Sequence, residues 1–269
     1  MTETITQATP DAPQETIQPR DFMQVLARGL MVMEGFSGRD EYMTVAELAK
    51  VVGLPRATVR RCLLTLKMLG YVETNGEKFF RLAPKVLVLA QAYISSSLLP
   101  RIAQPVIERV SENLNESCSV SILYGEDIIY VARSARRRRG SLLRDVGSSL
   151  PAHITSMGRV LLAGLSEKDL DAYFKRAKLE RFTANSIIDP AQLRTEIEKV
   201  RRDEYCVIDQ EFELDLRAIA VPIRNSSGTI VAALSANSEA GRTNRRELRT
   251  KFLPALRTAA NEMRVFLLG

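Results

Sequence analysis

Three arginines on one predicted helix are the strongest chemical signal in this chain. Arg56, Arg60 and Arg61 lie in the segment PRATVRRCLLTL, whose apolar residues recur at helical spacing. Arg60 and Arg61 project away from the apolar stripe, and Arg56 lies nearer its edge. Arginines near the N-terminal end of a helix can donate hydrogen bonds to guanine O6 and N7 in the major groove. The spacing therefore predicts a recognition helix for double-stranded DNA; the alternative is a helical bundle with a solvated basic face.

The elements on either side of this helix predict a winged helix-turn-helix. Thr44 stands three residues before Glu47, which is the capping-box pattern of a helix start. Gly53 is suited to end that helix, and Pro55 is tolerated in the first turn of the next one. Asn75-Gly76 between two apolar runs predicts a hairpin that would form the wing. We expect DNA contacts from Thr44, Arg56, Thr58, Arg60, Arg61, Thr65 and Lys78.

The composition restricts the remaining chemistry. The chain has 269 residues, enough for two ordinary domains, and a net charge of +6 that suits a polyanionic partner. Cys62, Cys118 and Cys206 are far apart, and His153 is the single histidine. We therefore expect a reducing cytoplasm, no disulfide framework and no metal site. The sequence contains none of the GxSxG, HExxH, P-loop or dinucleotide-binding motifs, so we expect no enzyme, no catalytic residue and no cofactor.

Apolar and polar runs divide the chain into segments. Residues 1–20 are polar and rich in Thr, Gln and Pro, which predicts a disordered tail rather than a signal peptide. The segment APKVLVLAQAYISSSLL is apolar nearly all round, so we expect a helix buried on both sides, packed against a second copy of itself. Its apolar run is shorter than the roughly 20 residues of a membrane helix, so no membrane is expected.

The second half of the chain predicts an α+β domain. Residues 119–133 and 216–237 each read as strand, turn, strand. Hairpins with helices between them favour an antiparallel sheet flanked by helices. We expect three helices between the hairpins, one near 156–165, one capped by Ser166 and one that starts at Asp189-Pro190, followed by a last helix from about Thr243 with a bend at Pro254.

Together these segments resemble the IclR family of transcriptional regulators over about residues 21–269. The matching segments are RGLMVMEGF, TVAELAKVVGLPRATVRRCLLTL, LGYV, LPAHITSMGRVLLAGL and IAVPIRNSSGTIVAALSAN. The stretch YCVIDQEFELDLRAIAVPIRN is similar to the branch that controls protocatechuate and β-ketoadipate catabolism. The resemblance implies a winged helix-turn-helix domain (21–83), a linker helix that mediates dimerisation (84–99) and a GAF-like effector domain (100–269). It also implies homodimers or homotetramers on palindromic promoter DNA.

The resemblance further implies a pocket for a small carboxylic acid, such as protocatechuate or β-ketoadipate. Family pockets are formed by the sheet, a loop that contains a histidine and the helix after it. A glycine in that helix would let the backbone approach the ligand, and the helix N-terminus suits a carboxylate. The residues implied are Arg133, His153, Thr155, Ser156, Met157, Gly158, Asp209, Arg217, Ser235 and Asn237, with Asp209 orienting one of the two arginines.

Plainer alternatives stay open for these residues. His153 could be a structural loop residue, the two arginines could form surface salt bridges, and Ser235 and Asn237 could occupy sheet-edge positions. The run Arg136–Arg139 fits a solvated hairpin extension, or a surface that steers an anionic effector or contacts DNA or a partner subunit. Two further functions also stay open: control of another carboxylic-acid pathway, or DNA binding with no effector.

Overall fold

The structure is a computed structural model that describes residues 20–36, 41–76, 78–134 and 145–267. Contacts between residues divide it into two compact units, one ending at Ser96 and the other beginning at Ser97. The predicted tail, apart from Arg20, and the run Arg136–Arg139 lie outside the described residues.

Unit 1 is the predicted winged helix-turn-helix. The Thr44 hydroxyl accepts a hydrogen bond from the Glu47 N–H at 3.3 Å, and the Glu47 carboxylate accepts one from the Thr44 N–H at 2.7 Å. Gly53 ends the helix with φ +67°. The elements are α1 (Gln24–Glu34), β1 (Met43–Thr44), α2 (Val45–Val52), α3 (Arg56–Met68), β2 (Val72–Asn75), β3 (Phe79–Leu82) and α4 (Val86–Ser96). The three strands pair antiparallel in the order β1-β3-β2.

Two helices of unit 1 present apolar side chains to the outside. The fully buried residue of α1 is Val32, whereas Val25 and Leu26 are 77% and 58% exposed. No residue of α4 is buried, and Leu87 and Val88 are 69% and 64% exposed. Among the described residues, these apolar side chains of α1 and α4 remain exposed.

The division by contacts lies between Ser96 and Ser97, three residues before the boundary expected between residues 99 and 100. α5 (Leu98–Leu114) already belongs to unit 2, because its buried residues Leu99, Ala103 and Ile107 pack in that unit's core. Among the described residues, no single helix is long and apolar enough to cross a membrane. α4 and α5 reach that length and composition only when counted together as one bent pair.

Unit 2 is built on a six-stranded antiparallel sheet in the order β6-β5-β4-β9-β8-β7. Its strands are β4 (Ser117–Tyr124), β5 (Asp127–Arg133), β6 (Ser149–Pro151), β7 (Cys206–Asp209), β8 (Leu216–Arg224) and β9 (Ile230–Glu239). Its further helices are α6 (Ser156–Ala163), α7 (Glu167–Arg176), α8 (Pro190–Asp203), α9 (Arg245–Glu247) and α10 (Leu253–Arg264), with a short 3₁₀ turn, Ala152–Ile154, ahead of α6. Both predicted hairpins and the three helices between them are confirmed. The short edge strands β6 and β7 were not predicted.

Each face of this sheet has its own core. Ile219 and Leu234 pack with α5 and α10 on one face. Ala218, Ala220 and Ala233 pack with α6 and α8 on the other, which we call the α6 face. Side chains alternate between the faces along each strand, so a residue's register decides which core it joins.

A bend was expected at Pro254, and the structure has a π-helical segment just before this residue. Leu248–Phe252 forms that segment, and Pro254 lies in the first turn of α10. Proline has no N–H to donate to the preceding turn, so the hydrogen-bond pattern changes before it.

Candidate DNA interface and effector site

The recognition helix α3 has one buried face and one basic face. Val59 and Leu63 are fully buried in the core of unit 1. Arg56, Arg60 and Arg61 are exposed, and within the described parts of the chain no ion-pair partner is found for any of the three. Their guanidinium groups are therefore available to an external anion.

The other predicted DNA residues lie around this helix. Thr58 is half-buried in its first turn, and Lys78 is exposed in the turn of the wing. The Thr65 hydroxyl donates to the Arg61 carbonyl at 3.0 Å, and the Thr44 hydroxyl donates to the Glu47 carboxylate at 2.8 Å. Both hydroxyl protons are thus used inside the domain, which leaves Thr44 and Thr65 as hydrogen-bond acceptors.

The wing is fastened to α3 by one side-chain contact. Lys67 Nζ donates to the Thr74 hydroxyl at 2.9 Å. This bond links the end of the recognition helix to β2, so the fold brings Lys78 and the arginines of α3 onto one small domain.

A polar row crosses the α6 face at the centre of the sheet. Ser119 pairs directly with Arg133 on one side and with Ser235 on the other. Both serines are fully buried, and no hydrogen-bond partner for either Oγ atom exists in the part of the chain that the structure describes. A buried hydroxyl without a partner is rare in proteins and calls for a specific explanation.

Two further rows flank the first. Ser117 pairs with Asn237, and the Ser121 hydroxyl donates to Met157 Sδ at 3.2 Å. The second contact brings the N-terminal turn of α6 against β4. Of the predicted residues, Arg133, Ser235, Asn237 and Met157 therefore gather on one face.

The serines of β4 were missed by sequence reasoning. Ser117, Ser119 and Ser121 alternate with Cys118 and Val120 in SCSVS, which is the period of a strand with one polar face. That alternation was the available signal.

The predicted ligand-binding turn is held mainly by its own contacts. The Thr155 hydroxyl accepts the Gly158 N–H at 2.9 Å and caps α6. A Cβ atom on Gly158 would lie 2.1 Å from the Ala152 carbonyl oxygen. The expectation that this glycine makes room for a ligand is therefore corrected: it makes room for the backbone of the 3₁₀ turn. Ser156 is buried at the start of the helix.

His153 is a buried histidine with one hydrogen-bond partner in a neighbouring segment. Its Nε2 donates to the Glu180 carbonyl at 3.1 Å, and only 1% of the residue is exposed. Burial lowers the pKa of His153 below its ordinary value, against the opposing effect of the Glu180 hydrogen bond. The ring thus fixes a neighbouring segment, as the plainer alternative for this residue stated.

Asp209 and Arg217 do not join the polar rows. Arg217 shares its face of β8 with Ile219, which belongs to the core opposite α6. Its Nε donates to Asp209 at 2.7 Å, and Arg245 Nε donates to the same carboxylate at 2.9 Å. Partial burial opposes these bonds, yet they hold the pKa of Asp209 below its usual value. The predicted pairing occurs, and the register places both side chains on the face opposite α6, away from the polar rows.

A buried arginine that the sequence did not single out lies beneath the turn. Arg159 is 1% exposed and forms a bidentate ion pair with Glu211. Its signal in sequence is a charged residue inside the apolar stretch MGRVLLAGL.

A separate cleft lies at the opposite end of α6. It has a volume of about 330 Å³ and is lined by residues that include Gly164, Arg201, Arg224 and Ile230. None of the predicted effector residues lines it. Buried unpartnered hydroxyls are better evidence for a recognition site than an open surface cleft, so we place the candidate site at the polar rows.

Comparison with known proteins identifies the family. Residues 25–76 match the IclR helix-turn-helix domain, and residues 91–265 match the bacterial transcriptional regulator IclR C-terminal domain. The chain belongs to the IclR family. This IclR-family chain has the mixed α+β architecture of its relatives, and its homologues are transcriptional regulators rather than enzymes.

Two curated relatives match nearly the whole chain. The Pca regulon regulatory protein of Pseudomonas putida is 45% identical, with 90% of this chain and 84% of that protein covered. The p-hydroxybenzoate hydroxylase transcriptional activator of Acinetobacter baylyi is 34% identical, with 93% and 94% covered.

Two solved structures have a similar fold. A putative transcriptional regulator from a Rhodococcus species is 44% identical, with 91% of this chain and 98% of that chain covered and a TM-score of 0.77. An IclR homologue from Microbacterium hydrocarbonoxydans, solved with 4-hydroxybenzoate, is 26% identical, with 90% and 98% covered and a TM-score of 0.74.

Proposed function

We propose that this IclR-family protein is a ligand-responsive transcription regulator of aromatic-acid catabolism genes. The observation that carries the proposal is the presence, in one chain, of an exposed basic recognition helix and a buried polar site with unpartnered hydroxyls. Relatives named for the Pca regulon and for p-hydroxybenzoate hydroxylase support the choice of pathway.

Arg60 and Arg61 of α3 read base edges of promoter DNA in this proposal. Arg56, Thr58 and Lys78 add contacts to the phosphate backbone or to bases, whereas Thr44 and Thr65 would accept hydrogen bonds from the amino groups of bases. Phosphate contacts set the position of the protein, whereas base contacts set its sequence preference. Binding should therefore weaken as salt increases, in proportion to the number of phosphates neutralised.

The effector in this proposal is a small carboxylic acid that resembles protocatechuate or β-ketoadipate. Arg133 stands at the end of the polar row and suits a carboxylate, since arginine recognises carboxylates through paired donors. Ser119 and Ser235 suit the hydroxyl or keto oxygens of such an acid. The homologue solved with 4-hydroxybenzoate supports an acid of this size.

The functional form in this proposal is a homodimer, alone or within a homotetramer. α4 carries no charged residue and no buried one, and Leu89 and Tyr93 are 51% and 46% exposed. A continuous apolar surface of this kind marks an interaction site. A two-fold pair of recognition helices would read two half-sites, and effector binding would change how the pair fits their spacing.

The test is the coupling between acid and DNA. Fragments bound by the purified protein are first selected from the genomic DNA of the source organism. Affinity for a labelled fragment is then measured by fluorescence anisotropy with and without protocatechuate, β-ketoadipate or 4-hydroxybenzoate, with acetate as the control anion. We expect at least one acid to change the DNA Kd by about 5-fold or more. Equal DNA affinity under all conditions, with no heat of acid binding, would instead identify a DNA-binding protein that has no effector of this class.

A further inference from the structure

We propose that Arg159 is a positioning residue of the effector site, one that determines effector affinity by fixing the α6 turn over the polar rows. This inference rests on the function proposed above and concerns the residues beneath that site. It assigns a functional role to a buried ion pair that lies outside the rows themselves.

The side chain of Arg159, which lies on α6, contacts both the 3₁₀ turn before that helix and the segment between β7 and β8. Its Nε donates to the His153 carbonyl at 2.9 Å, six residues before its own position. Its Nη1 donates to Glu211 Oε1 at 3.0 Å, and its Nη2 donates to Glu211 Oε2. One guanidinium therefore fixes the 3₁₀ turn, α6 and the bend between β7 and β8 at a single point.

A second layer of bonds extends this point to the irregular segment 178–187. The Ser186 hydroxyl donates to the Glu211 carbonyl at 2.7 Å, and the Thr183 hydroxyl donates to the Gln210 carbonyl at 2.7 Å. His153 Nε2 reaches the same segment through the Glu180 carbonyl. Segment 178–187 contains no helix or strand, and these side-chain bonds attach it to the sheet alongside the packing of Leu179 and Ile187 on the core of the α6 face.

The position of Arg159 relates this network to the candidate site. Arg159 lies on the same short helix as Met157, whose sulfur accepts the Ser121 hydroxyl at the polar rows. Any shift of the helix start would move Met157 against β4. In this proposal, the ion pair sets the distance between the start of α6 and the strands that carry Ser119 and Ser235.

Stability alone does not explain a buried ion pair at this place. Taking two charges out of water costs about as much as their attraction returns, and apolar replacements of similar volume are often equally stable. What an apolar pair cannot reproduce is direction, because a guanidinium holds three acceptors in one plane. The pair is therefore explained by the geometry that it imposes.

The test separates position from stability. The double variant Arg159→Met/Glu211→Leu keeps the volume and removes both charges, and Arg159→Lys keeps the charge but removes the planar fork. Arg194→Ala, which breaks two surface ion pairs between α7 and α8, is the matched control. For each protein we would measure the thermal midpoint, the calorimetric Kd for protocatechuate, β-ketoadipate and 4-hydroxybenzoate, and the rate of trypsin cleavage after Lys178 and Arg181.

We expect the double variant to bind the acid at least 10-fold more weakly than the wild type, with a thermal midpoint close to the wild-type value. Cleavage after Lys178 and Arg181 should become faster and should no longer be slowed by the acid. Arg159→Lys should fold and lose several-fold in affinity, so the inference stays testable if the double variant does not fold. Arg194→Ala should match the wild type in all three measurements.

Two outcomes refute the inference in distinguishable ways. Wild-type affinity in Arg159→Lys or in a folded double variant would refute the positioning role and leave the proposed function intact. Absence of acid binding by the wild-type protein would refute the proposed function, and the positioning role with it.

Discussion

Ser119 and Ser235 are direct partners across β4 and β9, and both of their buried hydroxyls lack a hydrogen-bond partner within the described residues. Leaving a buried hydroxyl unpaired costs about 1–3 kcal/mol. The two positions are adjacent on one face of the sheet. In the proposed complex, oxygen atoms of the acid would pair with these hydroxyls, and each such hydrogen bond would add to effector affinity.

Replacing either serine with alanine should stabilise the folded protein without effector and weaken effector binding. Ser119→Ala and Ser235→Ala each remove an unpaired polar atom, so we expect the free energy of unfolding to rise by about 1 kcal/mol. The effector Kd should rise by roughly 5- to 10-fold, since each variant loses one hydrogen bond to the ligand. Urea unfolding and calorimetry measure the two quantities.

Ser238 provides the control for these variants. Its hydroxyl is also buried and unpartnered among the described residues, but it lies on the opposite face, one residue along β9 from Asn237. Ser238→Ala should therefore raise stability without changing the effector Kd. If Ser238→Ala raises the effector Kd as much as Ser235→Ala does, the effector site is not on the α6 face.

Removing an arginine from the recognition helix should weaken binding to specific DNA. For Arg60→Ala and Arg61→Ala we expect a loss of about 1–3 kcal/mol on the selected fragment and a smaller loss on random DNA. Arg249→Ala in unit 2 removes the same charge from an exposed position. It should have little effect on the ratio of the affinities for the selected fragment and for random DNA. Unchanged specific binding in both α3 variants would contradict the assignment of α3.

Adding one methyl group at Gly158 should strongly destabilise unit 2. The new Cβ would lie 2.1 Å from the Ala152 carbonyl oxygen, so the turn must open. We expect Gly158→Ala to cost about 2 kcal/mol or more and to abolish effector binding. In the comparison variant Gly29→Ala the new methyl group meets nothing within 4 Å inside α1, and helix propensity should stabilise it by about 0.5–1 kcal/mol. Similar thermal midpoints for the two variants would be inconsistent with the close approach.

The free energy of unfolding should decrease as the pH is lowered below about 6.5, because His153 is protonated more readily in the unfolded chain. Burial lowers the pKa of His153 in the folded protein, so the unfolded chain takes up the proton first as pH falls. Its contribution is thus present above the unfolded value of 6.5 and is lost below it. His153 is the only histidine, and the carboxylates titrate mainly below this window.

The variant His153→Gln isolates this effect. It cannot take up a proton between pH 7.5 and 5, so its unfolding free energy should change less over that range than that of the wild type. Urea unfolding at several pH values measures the difference. Parallel curves for the two proteins would mean that His153 is not the titrating group.

A charge on the apolar face of α4 should break the proposed homodimer. Leu87 is 69% exposed in the single chain, and Leu87→Glu would place a carboxylate at the proposed contact. We expect sedimentation to show a shift from dimer to monomer at micromolar concentration. Met68→Glu, at a position 90% exposed on α3, is the control and should leave the dimer intact.

Local signals explain why the small domain was predicted well. The Thr44 and Glu47 capping box, Gly53 and Asn75-Gly76 each specify a backbone conformation within a few residues. Such signals need no tertiary context, so the order of helices and wing follows from them. β1, with two residues, has no comparable signal because it exists only through pairing with β3.

Register and long-range pairing explain what was missed in the effector domain. Arg217 and Asp209 were assigned to the site through the family resemblance, with Asp209 orienting an arginine, yet the strand register places both on the other face. Arg159 and Glu211 are 52 positions apart, so no local pattern connects them. Sequence reasoning placed Ser235 and Asn237 near strand ends but could not identify Ser119 as the partner between Ser235 and Arg133.

The alternation of β4 has a consequence for how this regulator can change over time. Its serines face the candidate site, while Cys118 and Val120 belong to the core on the other side of the same strand. Under the proposed function, exchanging a serine for another small residue would change the surface that faces the acid and leave the packing behind the sheet untouched. New effector preferences would then be accessible by single substitutions, a property suited to evolution and to the design of metabolite sensors.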